Sequence, residues 1–227
     1  MNHLTIRIRA WLSLAVLAVI MGALLFVSAG TARYWHAWVY LSVFFGAAVL
    51  TTVYLIRHDP ALLERRISGG PTAETQATQK FIMLCASLGF MALLVVPALD
   101  YRFGRSTMPF YGVLAGDALV AVGFFFIFLV YRENTYSSAT IELAPDQKVV
   151  STGPYAIVRH PMYASALLYL LGTPLALGSY SGLVPLAGLL SFVIWRLFAE
   201  ERFLAQNLAG YTDYQQKVRY RLLPRIW

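Results

Sequence analysis

Long apolar runs divide this chain into segments of membrane-spanning length. Four of these runs are residues 10–29, 35–56, 81–99 and 111–131. Asp117 is the only Asp, Glu, Lys or Arg residue within them. A bilayer core about 30 Å thick requires roughly 20 residues of helix. Each run therefore predicts one transmembrane helix.

A fifth apolar run, residues 161–195, contains no Asp, Glu, Lys or Arg and is too long for one span. Two groups of turn-forming residues interrupt it, the tripeptide Gly172, Thr173 and Pro174 and then the segment 178–182. We expect a helical hairpin of two short arms here. The chain is thus predicted to be an all-α integral membrane protein, a bundle of five to six transmembrane helices.

The composition agrees with a chain embedded in lipid. Of the 227 residues, 59% are hydrophobic and 13% are charged, whereas about 25% are charged in a typical soluble domain. A soluble domain cannot hide so much apolar surface from water. We divide the bundle into a four-span region, residues 1–131, and a second region, residues 132–227, that includes the 161–195 hairpin.

Basic residues predict the orientation in the membrane. With the N-terminus in the cytoplasm, all of the 18 Lys and Arg residues except Arg33, Arg102 and Arg105 lie on that side, as the positive-inside rule requires. Both termini are therefore expected to be cytoplasmic, in a bacterial inner membrane or an equivalent one. The net charge of +7 then reflects topology and attraction to anionic lipids, not nucleic-acid binding.

Two polar segments, residues 132–160 and 199–227, flank the hairpin and must meet at its base. Pro161 suits the first turn of a helix, and the positive end of that helix would face the cytoplasm with His160 and Tyr163 beside it. These side chains could hold a carboxylate or an adenosine ribose. An ordinary interfacial helix cap explains the same pattern equally well.

At the other side of the hairpin, Arg196 and Glu200 are four residues apart and share a helix face. They form either a plain ion pair or a site in which the arginine receives an anionic group and the glutamate an ammonium group. The segment 210–220 is amphipathic and basic, and is expected to lie along the headgroups. The four histidines are scattered, so no metal site is predicted.

The order of these polar segments along the chain resembles that of the isoprenylcysteine carboxyl methyltransferase family, which is grouped with the phospholipid methyltransferases. The likeness covers roughly residues 134–224. The matching pieces are residues 147–150, 153–155, the Arg-His-Pro-Met-Tyr motif at 159–163, Glu200 with Glu201, and Gly210 with Tyr211 and Tyr214. Several ordered pieces around a hairpin are more specific than any one of them alone.

The resemblance implies that S-adenosylmethionine is the cofactor and that its pocket lies at the cytoplasmic end. Carried over by position, the residues implied to line that pocket are Lys148, Val149, Val150, Tyr155, His160, Pro161, Met162, Tyr163 and Glu200. Glu200 would be the partner of the cofactor's ammonium group. Arg196 would bind the substrate carboxylate and act with Glu201 as a catalytic residue. One departure is Ser165, where the family often has glycine.

The expected reaction is carboxyl O-methylation of a prenylated cysteine or a similar lipophilic acid. A carboxylate, with a reference pKa of about 4, is ionised at neutral pH and needs no strong base. The protein would supply alignment in a site drier than bulk water. The lipid tail would enter between helices, with membrane lipids around it, and the cofactor would enter from the cytoplasm.

Other functions stay open at this point. One alternative is a methyltransferase acting on phosphatidylethanolamine or on a small thiol. An amine substrate would need a proton acceptor, for which only Glu201 and His160 are candidates. Membrane sterol reductases share part of the C-terminal pattern and would use a nicotinamide cofactor. A structural or transport bundle predicts paired polar residues near the bilayer midplane, and the sequence offers almost none.

Overall fold

The computed structural model describes residues 3–70 and 72–227, and within these ranges it is all-helical, without strands. A 3₁₀ turn at Gly153–Ala156 accompanies eight α-helices. The helices are α1 (His3–Ala29), α2 (Trp35–His58), α3 (Pro60–Ile67), α4 (Ala77–Phe103), α5 (Phe110–Glu133), α6 (Pro161–Ala176), α7 (Leu183–Asn207) and α8 (Tyr211–Lys217). By length and composition, α1, α2, α4, α5 and α7 can each cross a membrane, which confirms the predicted bundle.

The hairpin is present as α6 and α7, but its arms are unequal. The 16 residues of α6 span about 24 Å at 1.5 Å per residue, which is less than a hydrocarbon core of about 30 Å. The second arm is longer than expected, since α7 has 25 residues and continues past the apolar run. It can do so because Arg196, Glu200 and Glu201 all find polar partners there.

Counted together with the shorter α6, the long helices alternate in direction, so the loops gather at two ends. At one end, Arg66 Nη1 donates to the Ser138 carbonyl at 2.8 Å, which joins α3 to the long segment 134–160. At the other, the Tyr34 hydroxyl donates to the Leu177 carbonyl at 2.5 Å. The first end also receives the chain after α7. We call it the basic end, because most Lys and Arg residues lie there.

Away from the basic end, a buried carboxylate fixes the turn of the hairpin. Asp100 Oδ2 accepts hydrogen bonds from the hydroxyls of Ser106 at 2.5 Å, Ser179 at 2.5 Å and Ser181 at 2.9 Å. Asp100 lies near the end of α4, and the two later serines lie between α6 and α7. The carboxylate therefore joins the turn between the arms to α4.

Glycines allow α5 and α6 to approach backbone to backbone. A Cβ atom at Gly116 would lie 2.1 Å from the Ala176 nitrogen, and one at Gly172 would lie 2.6 Å from the Gly116 carbonyl oxygen. Backbone atoms on a neighbouring helix cannot move aside as a flexible side chain can. Only glycine thus permits this spacing, which sets the position of α6 and of the polar residues in its first turn.

The substitution Gly116→Ala is expected to lower the free energy of unfolding by about 1–3 kcal/mol, the usual cost of overpacking a filled interface. The measurement is thermal unfolding of the detergent-solubilised protein. Gly188→Ala is the matched control, because a Cβ atom there meets nothing within 4 Å. An equal loss of stability in both variants would show that the close approach of α5 and α6 is not the cause.

Candidate active site

A cavity of about 760 Å³ lies within the bundle and reaches the basic end. Its volume falls in the range of about 300–1,000 Å³ that is typical of small-molecule sites. Polar walls come from residues 134–150 and from α6, α7 and α8, while α1 and α4 line it with apolar side chains. The cavity therefore suits a molecule, or a pair of molecules, with one polar and one apolar part.

The structure brings together all the residues predicted to contact the cofactor. The cavity is lined by Lys148, Val149, Val150, Tyr155, His160, Pro161, Met162, Tyr163 and Glu200. Arg196 also lines it, whereas Glu201 does not. The roles assigned to these residues stay predictions. Ser165 lies outside the lining, and its hydroxyl donates to the Pro161 carbonyl at 2.6 Å.

Glu200 is held by a hydrogen bond that joins the two arms of the hairpin at their base. The hydroxyl of Tyr163, in the first turn of α6, donates to Glu200 Oε2 at 2.5 Å. The other oxygen, Oε1, accepts no hydrogen bond from the described residues. An oriented carboxylate with one oxygen free toward a cavity is able to bind an ammonium group.

Two buried polar atoms in the cavity wall, His160 Nε2 and the Tyr211 hydroxyl, find no hydrogen-bond partner among the described residues. Glu201 Oε1 lies 3.5 Å from the histidine nitrogen, too far for a good hydrogen bond. Leaving such a group unpaired costs about 1–3 kcal/mol. Both atoms are closed off from solvent, and the histidine nitrogen faces Glu201, which does not line the cavity.

Two further tyrosines of the wall, Tyr155 and Tyr214, are held by hydrogen bonds. Asn134 Nδ2 donates to the Tyr155 hydroxyl at 2.8 Å, and the Tyr214 hydroxyl donates to the Tyr155 carbonyl at 2.7 Å. Burial raises the pKa of Tyr155, Tyr211 and Tyr214 above the usual range. All three hydroxyls are therefore protonated at neutral pH and can donate hydrogen bonds.

Arg196 pairs with Glu74 and not with Glu200. Its Nη2 donates to Glu74 Oε1 at 2.7 Å and to the Ala139 carbonyl at 2.9 Å, while Nη1 donates to Gln79 Oε1 at 3.2 Å. No ion pair links Arg196 to Glu200 in the described part of the chain. The pair with spacing i,i+4, which is one of the two possibilities in the sequence, is thus not formed.

Sequence reasoning missed both Glu74 and Gln79. Neither belongs to a motif, and both lie far from Arg196 in the chain. One signal was available, because Glu74 is the sole acidic residue between Glu64 and Asp100. This signal alone could not show which basic residue Glu74 pairs with, because that depends on the folded structure.

Glu201 lies behind the cavity wall and anchors the last residues of the chain. Arg159 Nε donates to its Oε1 at 2.7 Å, and Arg221 Nε donates to its Oε2 at 2.9 Å. Arg159 also donates to the carbonyls of Val218 and Arg219. Arg159 and Glu201 are 7% and 6% exposed. These contacts favour a structural role for Glu201 over the catalytic role predicted from the sequence.

Together, the helices and the cavity define a multi-pass membrane protein with a site for a molecule that is part polar and part apolar. The profile of the phospholipid methyltransferase family matches residues 111–210. This match includes the whole hairpin and the polar residues at its base.

Two curated relatives agree with that family. The protein-S-isoprenylcysteine O-methyltransferase of Schizosaccharomyces pombe is 34% identical over 79 residues, 32% of this chain and 32% of that protein. The protein-S-isoprenylcysteine O-methyltransferase B of Arabidopsis thaliana is 29% identical over 123 residues, 52% of this chain and 56% of that protein. The chain thus spans about a third to just over half the length of these relatives. The matches confirm the resemblance to isoprenylcysteine methyltransferases.

The substitution Glu201→Ala is expected to destabilise the protein by about 3–5 kcal/mol, because it leaves the buried guanidinium of Arg159 without its counter-charge. Thermal unfolding measures this loss. Arg202→Ala, at an exposed neighbouring position, should change stability by less than about 0.5 kcal/mol. A Glu201→Ala variant as stable as the wild-type protein would contradict the structural role.

Proposed function

We propose that the protein is an S-adenosylmethionine-dependent membrane methyltransferase that O-methylates a prenylated cysteine or a similar lipophilic acid. The observation that carries this proposal is one cavity in which Glu200, His160 and Tyr163 line the polar part and helices α1 and α4 line an apolar part. The similarity to proteins named isoprenylcysteine O-methyltransferases supports the same reaction.

S-adenosylmethionine, when bound, would supply an activated methyl group on its sulfonium. Glu200 would bind the ammonium group through Oε1, while the Tyr163 hydroxyl holds Oε2. His160 and Tyr211, whose side chains line the cavity, would contact the adenosine. Residues 148–150 and Tyr155 would complete the wall around it.

The substrate would place its carboxylate at Arg196 and its tail in the apolar chamber. The chamber follows α4 from Ile82 to Leu94, a distance of about 18 Å along the helix axis. Leu17, Met21 and other side chains of α1 form another wall. A chamber of this length and character suits an isoprenoid or acyl chain that enters from the surrounding lipid.

In this scheme the protein supplies binding, orientation and exclusion of water. An ionised carboxylate needs no proton removed. Arg196 and Glu200 are four residues apart on α7, about 6 Å along its axis, so the two reactants would be held side by side. The apolar chamber would keep bulk water from the reacting groups.

We also propose that the basic end faces the cytoplasm with both termini there, in a bacterial inner membrane or an equivalent one. The asymmetry of the 18 Lys and Arg residues supports this orientation. The two regions would then divide the work. Residues 132–227 would hold the cofactor, and residues 1–131 would shape most of the chamber for the tail.

A second candidate is N-methylation of phosphatidylethanolamine, which the description of the matching family favours. An amine must lose a proton during the reaction, so a base is required. The cavity offers His160 for that task, whereas Glu201 is already bound by two arginines. A guanidinium at the site favours an acid as the substrate.

Binding of S-adenosylhomocysteine to the detergent-solubilised protein tests the cofactor site. We expect wild-type protein to bind it, and Glu200→Gln and His160→Ala to bind at least tenfold more weakly, since each variant loses a charged or polar contact worth about 1.5–3 kcal/mol. Asp213→Asn, exposed on α8, is the control and should match wild type. Failure of the wild-type protein to bind would overturn the proposal.

Transfer of a labelled methyl group to a panel of acceptors tests the substrate class. The panel contains a farnesylated cysteine analogue, the same molecule as its carboxamide, phosphatidylethanolamine and a small thiol. We expect label on the acid alone, because Arg196 recognises a carboxylate and the reaction needs no base. Label on phosphatidylethanolamine alone would establish the second candidate.

A further inference from the structure

Glu74 brings a negative charge to the site from outside the region that matches the family. It lies between α3 and α4, and its side chain is 2% exposed. Its Oε1 accepts a hydrogen bond from Arg196 Nη2 at 2.7 Å, and its Oε2 accepts one from the backbone nitrogen of Ile141 at 3.4 Å. One buried carboxylate thus ties α7 to two other segments.

The contacts of Arg196 leave part of its guanidinium free toward the cavity. A guanidinium has five N–H groups. Two of them, both on Nη2, go to Glu74 and the Ala139 carbonyl, and a third goes from Nη1 to Gln79. The other two, on Nε and Nη1, have no carboxylate or carbonyl acceptor in residues 3–70 and 72–227, and the neighbouring hydroxyl of Tyr163 interacts with the guanidinium from the cavity side. Because Arg196 lines the cavity, these two groups are the ones available to a substrate.

Without Glu74, Arg196 has an obvious alternative partner in the site itself. Glu200 is one turn away on the same face of α7, and both side chains line the same cavity. A buried guanidinium that lost its counter-charge would be strongly unfavourable. The flexible side chain of Arg196 would therefore turn to Glu200. In that ion pair, Glu200 could no longer bind the ammonium group and Arg196 could no longer bind the substrate.

We propose that Glu74 is a positioning residue that holds Arg196 toward the substrate and keeps it from pairing with Glu200. The proposal rests on the proposed function, in which Glu200 binds the cofactor and Arg196 the acid. Glu74 touches neither ligand and acts only through Arg196. The region before residue 111 would then control the occupancy of the methyl-transfer site as well as shape the chamber for the tail.

The test is a double-mutant cycle read by the affinity for S-adenosylhomocysteine. Glu74→Ala should weaken binding by up to about fivefold, the upper end of the contribution of a partly exposed ion pair, since Arg196 now competes for Glu200. Adding Arg196→Ala to that variant removes the competitor, and binding should return to within about twofold of the Arg196→Ala single variant. A role of Glu74 in stability alone predicts no such recovery.

The affinity for substrate gives an independent reading of the same cycle. In Glu74→Ala the KM for the farnesylated cysteine analogue should rise, and in the Arg196→Ala background the Glu74 substitution should change KM by less than about twofold. Glu64→Gln is the matched control, because it removes an acid from the adjacent helix α3 without touching Arg196. It should leave both affinities unchanged.

The outcomes separate this inference from the proposed function. Wild-type protein that binds no S-adenosylhomocysteine overturns the proposed function. The inference alone is overturned if wild-type protein binds S-adenosylhomocysteine and Glu74→Ala binds it equally well. It is also overturned if the double variant binds as weakly as Glu74→Ala. If Glu74→Ala is not recovered as folded protein, Glu74→Gln replaces it in the same double-mutant cycle, because it removes the charge and keeps the shape of the side chain.

Discussion

The ion pair between Arg159 and Glu201 sets the rotation of α7 about its own axis, and the geometry of the site depends on that rotation. Successive residues of an α-helix are separated by about 100° around the axis. Because Glu201 is held behind the wall by Arg159 at 2.7 Å, the neighbouring Glu200 and, one turn earlier, Arg196 are directed at the cavity. Arg159 also binds carbonyls of the C-terminal segment, so the same contact closes the wall at the basic end.

The two ends of the hairpin are fixed by different means, and the cavity lies between them. Asp100 holds the turn between α6 and α7 through serine hydroxyls, while the hydrogen bond from Tyr163 to Glu200 joins the arms at the basic end. Close packing on α5 sets the position of α6. With both ends held, the space between the arms can remain open to a ligand without loss of the fold.

Hydrophobic patterning was enough to predict the spanning helices, because lipid demands long apolar helices whatever their tertiary contacts. The part of the cavity lining within residues 147–163 and at Glu200 was also predictable, since these pieces are local motifs in a recognisable order. The length of α7 and the partner of Arg196 were not. The partner of Arg196 depends on Glu74 and on residues 135–142, and the length of α7 depends also on Tyr163 and Arg159. All of these approach α7 only after the chain has folded. Likewise, the burial of Glu201 against Arg159 separates two adjacent glutamates that the sequence presents as a pair.

The division of the cavity has a consequence for where specificity resides under the proposed function. The region that matches the family, residues 111–210, contains most of the polar residues that would bind a methyl donor common to many acceptors. The apolar chamber is lined largely by α1 and α4, which precede that region, and Glu74 also precedes it. A relative that shares the motifs but differs in these helices would keep the cofactor and change the acceptor. Sequence differences in α1, α4 and the segment between α3 and α4 should therefore determine which acceptor is methylated, whereas the motifs by which the family is recognised should not.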